Sequence, residues 1–221
     1  MNTNIETLDI IGEEHIATSL ETPLREDAFE MDDNLKIELI QKHFKEIMYI
    51  LGLDLNDDSL SGTSHRVAKM YVKEIFRGLN PANKPAVKLF ENKYQYNEML
   101  IEKNITLYSY CEHHFVPIIG KVHVAYISNG QVIGLSKINR LVQYYAKRPQ
   151  VQERLTNQIA GALKEALQSD DVGVIIDAVH LCVASRGIKD TSSSTVTASY
   201  SGRFQGEKLK TEFLALLNST K

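Results

Sequence analysis

Two short clusters of metal-binding side chains, Cys111-Glu112-His113-His114 and His180-Leu181-Cys182, set the tightest condition on any fold this sequence can adopt. Thiolates and imidazoles suit a soft, tetrahedral ion such as zinc, and Cys111, His114 and Cys182 together leave a fourth position for water. That is the ligand count of a catalytic site rather than of a closed structural one. If one ion takes all three side chains, the fold must carry the two clusters to one place. His113 and His180 then lie beside the ligands in sequence and are available to move protons.

Local geometry adds a demand. Residues three apart on a flat strand point to opposite faces, so Cys111 and His114 can share an ion only across a bulge or a tight bend. His180 and Cys182, two apart, are expected to share one strand face. The cysteines also have plainer readings, as two small buried hydrophobes or as a disulfide, which a reducing compartment disfavours. The C-x-x-H pair with a distant H-x-C favours the metal, because neither plainer reading needs the histidines.

Composition narrows the class. A 221-residue chain with 43% apolar and 24% charged residues has the material for one sizeable domain and a helical appendage. Its net charge of −3 gives no global basic field for wrapping nucleic acid. No window approaches a membrane span, and the acidic start lacks the basic-then-apolar order of a secretory signal. The expectation is a cytoplasmic protein with no membrane and no nucleic-acid partner.

Hydrophobic periodicity divides the chain. Residues 1 to about 30 read as an arm with a short helix at Glu13 to Leu20. Asp32 is placed to cap a helix from Asp33 to about Leu51, with a wide apolar face and Gly52 as its stop. Thr63 or Ser64 opens a second helix, which ends at Gly78. The run from Asn80 to Pro85 then separates an N-terminal arm and helical segment, residues 1–85, from the main domain, residues 86–221.

In that domain Ile101 to Tyr108 and Gly120 to Ile127 read as a hairpin with Pro117 and Gly120 in its turn. Ser136 caps a helix through Tyr145, and Pro149 opens another from Val151 to Leu167. Gly173 to Ala184 and Thr191 to Tyr200 alternate as two more strands, and Leu209 to Leu217 closes the chain as a helix. The sum is an α+β fold: an antiparallel four-stranded sheet with two helices on one face, preceded by N-terminal helices.

Arg66, Lys69, Lys137, Arg140 and Arg186 are the candidates to hold an anionic substrate, and the helix at Ser136 adds amides suited to phosphate. Neither a Walker loop nor a Rossmann fingerprint occurs. Each cation taken alone reads more readily as a solvated surface charge; Arg186 stands out because it follows the H-x-C strand. Glu153 can accept two parallel hydrogen bonds from a guanine-like edge, and a carboxylate also suits the opening turn of a helix without any such task. His15, His43, His65 and His123 read as structural.

Taken in order, His65-Arg66-Val67-Ala68-Lys69-Met70, Ser109-Tyr110-Cys111-Glu112-His113-His114, Gly134 to Arg140, Arg148 to Thr156 and His180-Leu181-Cys182 with Arg186-Gly187 resemble the GTP cyclohydrolase I family of bacterial type. The resemblance spans nearly the whole chain and is weakest at its two ends. It implies a T-fold domain with a catalytic zinc on Cys111, His114 and Cys182 and proton transfer by His113 and His180. It implies triphosphate contacts from Ser136, Lys137, Arg140 and Arg186, with Arg66 and Lys69 on the phosphate side, and guanine recognition by Glu153 helped by Gln152. The family's substrate is GTP, its assembly a homodecamer of two stacked pentamers with sites at subunit interfaces, and its place folate (tetrahydrofolate) biosynthesis.

The implied reaction is zinc-dependent hydrolysis at C8 with formate release, sugar rearrangement and ring closure to 7,8-dihydroneopterin triphosphate. Two other outcomes stay open on the residues: a purine-nucleotide hydrolase that stops at a formylated ring-opened product, and a non-catalytic oligomer with a structural metal. A zinc deaminase would carry H-x-E and P-C-x-x-C, which this chain lacks.

Overall fold

The computed structural model describes residues 19–219, so all but the end of the helix expected at Glu13 to Leu20 lies outside the described residues. Helix α1 (Asp33–Ile50) starts as its sequence predicts, with the Asp32 carboxylate accepting from the N–H groups of Asn34 and Leu35. Gly52, at φ +82°, supplies the left-handed exit. Met48 is the α1 residue that is buried, while Leu35, Leu39, Ile47 and Ile50 stay exposed. The wide apolar stripe of α1 therefore has little cover from the described residues.

Helix α2 (Thr63–Met70) continues into a π-helical turn at Tyr71–Ile75. Its cap is Gly62 rather than Thr63 or Ser64, because the Thr63 hydroxyl accepts from Arg66 and Ser64 is buried. There follow β1 (Leu89–Glu91), β2 (Met99–Cys111), β3 (Pro117–Ile127), β4 (Gln131–Ile133), α3 (Leu135–Ala146), β5 (Pro149–Gln150), α4 (Gln152–Leu167), β6 (Val172–His180), α5 (Leu181–Ala184), β7 (Thr195–Tyr200) and α6 (Glu207–Asn218).

The main sheet has five strands in the order β5-β2-β3-β6-β7, and β1 pairs with β4 apart from it. The four expected strands are antiparallel to one another, but the sheet is mixed: β5 runs parallel to β2 through Tyr110↔Pro149 and Cys111↔Gln150. Pro149 therefore lies in an edge strand instead of opening a helix, at a place where the missing N–H costs no ladder bond. Helix α3 is likewise capped by Gly134 and not by Ser136, with no side-chain cap bond. Pro117 and Gly120 belong to β3, and the hairpin turn is made by residues 112–116.

Strand register brings the two metal-binding clusters together. Ser109 of β2 pairs with Ile118 of β3, which pairs in turn with His180 of β6. Both neighbours run antiparallel to β3, so β2 and β6 point the same way and finish at the same end of the sheet. Gly120 allows this approach, since a Cβ there would stand 2.1 Å from the Asp177 carbonyl oxygen and 2.5 Å from the Ala178 Cβ.

Alternation along the strands feeds two cores. Leu107, Val122, Val124, Val174 and Ile176 meet α3 and α4 on one face, where Leu141, Leu155, Ile159 and Leu163 are buried. Burying each such side chain contributes on the order of 1.5–3 kcal/mol. Ala125, Ile127 and Ile175 turn the other way and pack on Phe204 and on Phe213 of α6. Two helices do cover one face, and the last helix closes part of the other.

Candidate metal centre

The bend demanded by the C-x-x-H spacing is present. Strand β2 ends at Cys111, and the chain reverses through residues 112–114. The Phe115 N–H donates to the Cys111 carbonyl at 2.8 Å, and the Cys111 N–H donates to the Val116 carbonyl at 2.9 Å. Phe115 takes φ +53°, an unusual region for a bulky residue, and its ring packs on Phe76 with centroids 5.0 Å apart. The turn returns His114 to Cys111, with Nδ1 3.7 Å from Sγ, and holds His113 Nδ1 at 3.7 Å from the same sulfur.

The second half is built differently from its expectation. Strand β6 stops at His180, and Leu181–Ala184 forms one helical turn, so His180 and Cys182 do not share a strand face. The ladder ends at the pair Ile118↔His180, and the next β3 residue, Pro117, has no N–H with which to extend it. The Ser185 N–H closes the helical turn on the Leu181 carbonyl at 2.9 Å. Cys182 thus reaches the centre from a helix start.

Ligand atoms of Cys111, His114 and Cys182 all lie within 4.8 Å of one another. Metal–sulfur and metal–nitrogen bonds of about 2.3 and 2.0 Å separate tetrahedral ligand atoms by roughly 3.5 Å. The 3.7 Å between Cys111 and His114 matches that spacing, so the donor set fits one ion. Both cysteines are free thiols. Burial, followed by the neighbouring Cys111, pushes the Cys182 thiol up, while Arg186 opposes the shift. Burial, with Arg186 and His113, lowers the His114 imidazole from its ordinary value, the direction that favours the neutral form a metal ligand needs. A cation at the centre would offset the repulsion between the two thiolates that bind it.

Around the centre, α4 supplies two anchors. Arg154, in its first turn, forks onto both carboxylate oxygens of Glu112 and donates through Nε to the Ser19 carbonyl at 2.9 Å. Gln152 is buried, and its Oε1 stands 2.8 Å from His180 Nε2. Burial lowers the His180 imidazole, against the pull of the Glu153 carboxylate. Sequence reasoning gave Arg154 no role. The only hint in the sequence is that Arg154 and Gln158, four apart, flank the Val151, Leu155 and Ile159 stripe; the structure buries both.

The remaining candidates divide into two groups. Arg186 lies close enough to act on His114 and Cys182, and Glu153 close enough to act on His180. Ser136, Lys137 and Arg140 stand elsewhere: on the same turn of α3, Asn139 donates to Glu102, and further along Gln143 donates to the Thr106 carbonyl. From Glu102 to Cys111 an extended strand covers roughly 30 Å, so the start of α3 lies toward the far end of β2 from the metal cluster. Arg140 instead borders a cavity of about 320 Å³ with Arg77, Asn83 and Tyr144. Arg66 folds back onto the Ser59 carbonyl and Thr63, and Lys69 is exposed on α2.

An α+β chain that closes two thiols and an imidazole on one point, with two further imidazoles beside them, has the makings of a metal-dependent hydrolase. The family model for GTP cyclohydrolase I matches residues 40–218. The chain is 60% identical over 214 residues to GTP cyclohydrolase 1 of Flavobacterium johnsoniae, covering 97% of this chain and 96% of the relative. It is 54% identical over 206 residues to the proteins of that name from Citrobacter koseri and Escherichia coli, covering 93% of both chains in each case. This chain belongs to the GTP cyclohydrolase I family. No helix among the described residues is long and apolar enough to cross a membrane.

Proposed function

We infer that the Cys111 cluster is where this chain carries out its family's reaction, the hydrolysis of GTP to dihydroneopterin triphosphate. The observation that carries this reading is the convergence of Cys111, His114 and Cys182 within 4.8 Å in a chain of that family. Two sulfurs and one nitrogen favour zinc. A zinc ion held there supplies a Lewis acid that makes water nucleophilic near neutral pH.

The chain's own groups handle binding and protons. Glu153, exposed at the start of α4, accepts the N–H donors of the guanine edge. His113, beside the Cys111 sulfur, and His180, whose pKa burial lowers, exchange protons with the purine and the sugar. One water adds at C8 and opens the ring, and a second releases formate. The ribose opens and rearranges, and closure of the six-membered ring returns one water, leaving one water consumed overall.

Ser136, Lys137, Arg140 and Arg186 hold the triphosphate, with Arg66 and Lys69 nearby and Gln152 close to the base. Because Ser136 to Arg140 stand far from the centre of their own subunit, they serve a neighbour's centre. This supports a homodecamer of two stacked pentamers with sites at subunit interfaces, and the exposed apolar face of α1 gives such an assembly surface to bury. The antiparallel core β2-β3-β6-β7 under α3 and α4 supports a T-fold in residues 86–221, following an N-terminal segment of residues 1–85. The protein works in the cytoplasm.

Incubating metal-quantified protein with GTP and following formate and pterin together tests the reading. Both products are expected, lost with zinc and restored by it. A ring-opened formyl product without formate would keep the metal site and overturn the complete reaction, and absence of turnover at full zinc occupancy would reduce the metal to a structural role.

A further inference from the structure

The buried Gln152 side chain is held by hydrogen bonds at both ends of its amide. Its two amide hydrogens are shared among three acceptors, the Thr195 carbonyl at 2.8 Å, the Thr197 hydroxyl at 3.1 Å and the Ile176 carbonyl at 3.2 Å. Backbone carbonyls only accept, so the NH₂ end of the amide must face β6 and β7. The neighbouring hydroxyls agree with this direction. Thr197 accepts from the Gln152 amide and stands 2.7 Å from Thr156, which donates to the Gln152 main-chain carbonyl at 2.8 Å. Every proton in that loop has a place if Thr197 donates to Thr156.

With its nitrogen committed, Gln152 has only its carbonyl oxygen to offer His180, and that oxygen lies 2.8 Å from Nε2. An amide oxygen accepts and never donates, so His180 Nε2 must carry the hydrogen. We propose that Gln152 is a positioning residue: it fixes His180 as the Nε2–H tautomer, so that any proton His180 exchanges with the substrate passes through Nδ1, and its side chain does not read the base. This inference rests on the reading above that His180 is a proton carrier. It gives Gln152 a task other than helping Glu153, for a side chain that is 1% exposed and has its donors turned into the sheet.

Two measurements on the zinc-loaded, full-length protein test it. Solid-state ¹⁵N spectra of histidine-labelled protein report the tautomer directly, with the His180 signals assigned by their loss in His180→Gln. A protonated Nε2 and an unprotonated Nδ1 are expected in the wild type; the reverse would overturn the proposal without any Gln152 variant having to fold. In Gln152→Met, which conserves volume, the fixed tautomer should be lost. Its kcat should fall by about 10- to 100-fold, the usual cost of removing an orienting partner, with KM changed less than about threefold.

The same fall should appear with inosine triphosphate, which lacks the 2-amino group of the base. A fall confined to GTP and expressed in KM would show the amide reading the base and refute the proposal. Undiminished turnover by His180→Gln would remove the proton-carrier role on which the inference rests, and the tautomer result would then describe structure alone.

Discussion

Arg154 lays two guanidinium nitrogens on the two carboxylate oxygens of Glu112, so a buried helix start grips the turn that joins Cys111 to His114. The arginine side chain is 4% exposed and the glutamate 19%. Removing one partner of such a pair strands a buried charge and costs about 3–5 kcal/mol. Arg154→Met should therefore lower the denaturant midpoint sharply and weaken zinc retention against a chelator. Glu112→Leu combined with Arg154→Met should recover much of the midpoint while zinc retention stays weak, because the turn loses its anchor in both. Equal recovery of stability and zinc would show the pair to be structural only.

The separation between α3 and the metal cluster makes a second prediction. If Arg140 serves a neighbouring subunit, Cys111→Ala and Arg140→Ala proteins, each inactive alone, should complement when dissociated, mixed and reassembled. For random assembly in a symmetric oligomer an equal mixture would return up to about a quarter of wild-type sites. Persistent inactivity of mixed oligomers, verified as mixed by differential tagging, would place the whole site within one chain.

Legibility in the sequence followed the range of the interactions involved. The Asp32 cap and the stop at Gly52 are local events between near neighbours, and the sequence predicts both. The bend at Cys111 was legible as a requirement, since one ion cannot otherwise meet residues three apart. Pro149 and the end of β6 were misread for a shared reason: which backbone groups find ladder partners depends on a strand distant in sequence. Arg154 was passed over because a basic residue near a helix start reads as solvated until the turn carrying Glu112 folds over it.

Gly120 supplies a third test, at the crossing that aligns β2, β3 and β6. Gly120→Ala puts a methyl group against the Asp177 carbonyl, which is backbone and cannot rotate aside. Overpacking of this kind costs about 1–3 kcal/mol, and the strand that must shift is the one leading to His180 and Cys182. Both the unfolding midpoint and zinc affinity should fall. Gly161→Ala is the control: nothing lies within 4 Å of a Cβ at that position of α4, so helix propensity should raise stability by about 0.5–1 kcal/mol. Unchanged zinc affinity in Gly120→Ala would mean that β6 yields without moving its end.

Away from the metal centre, acid sensitivity should arise at His123. Its Nδ1 accepts the Asn104 N–H at 3.3 Å where β2 bulges between Glu102 and Ile105, with Asn104 in the left-handed region at φ +64°. Burial lowers the His123 pKa below its ordinary value; Asp177 opposes the shift, and Lys103 and Lys121 add to it. The unfolded chain therefore takes up the proton first. The stability contributed by the neutral ring is complete above the unfolded value of about 6.5 and is lost as pH falls through the lower folded value. Protonation also turns Nδ1 from acceptor to donor and breaks the bond to Asn104. His123→Gln, which does not titrate, should flatten the fall in denaturant midpoint between about pH 7 and pH 5 at matched zinc content. Parallel slopes for variant and wild type would assign the acid sensitivity to another group.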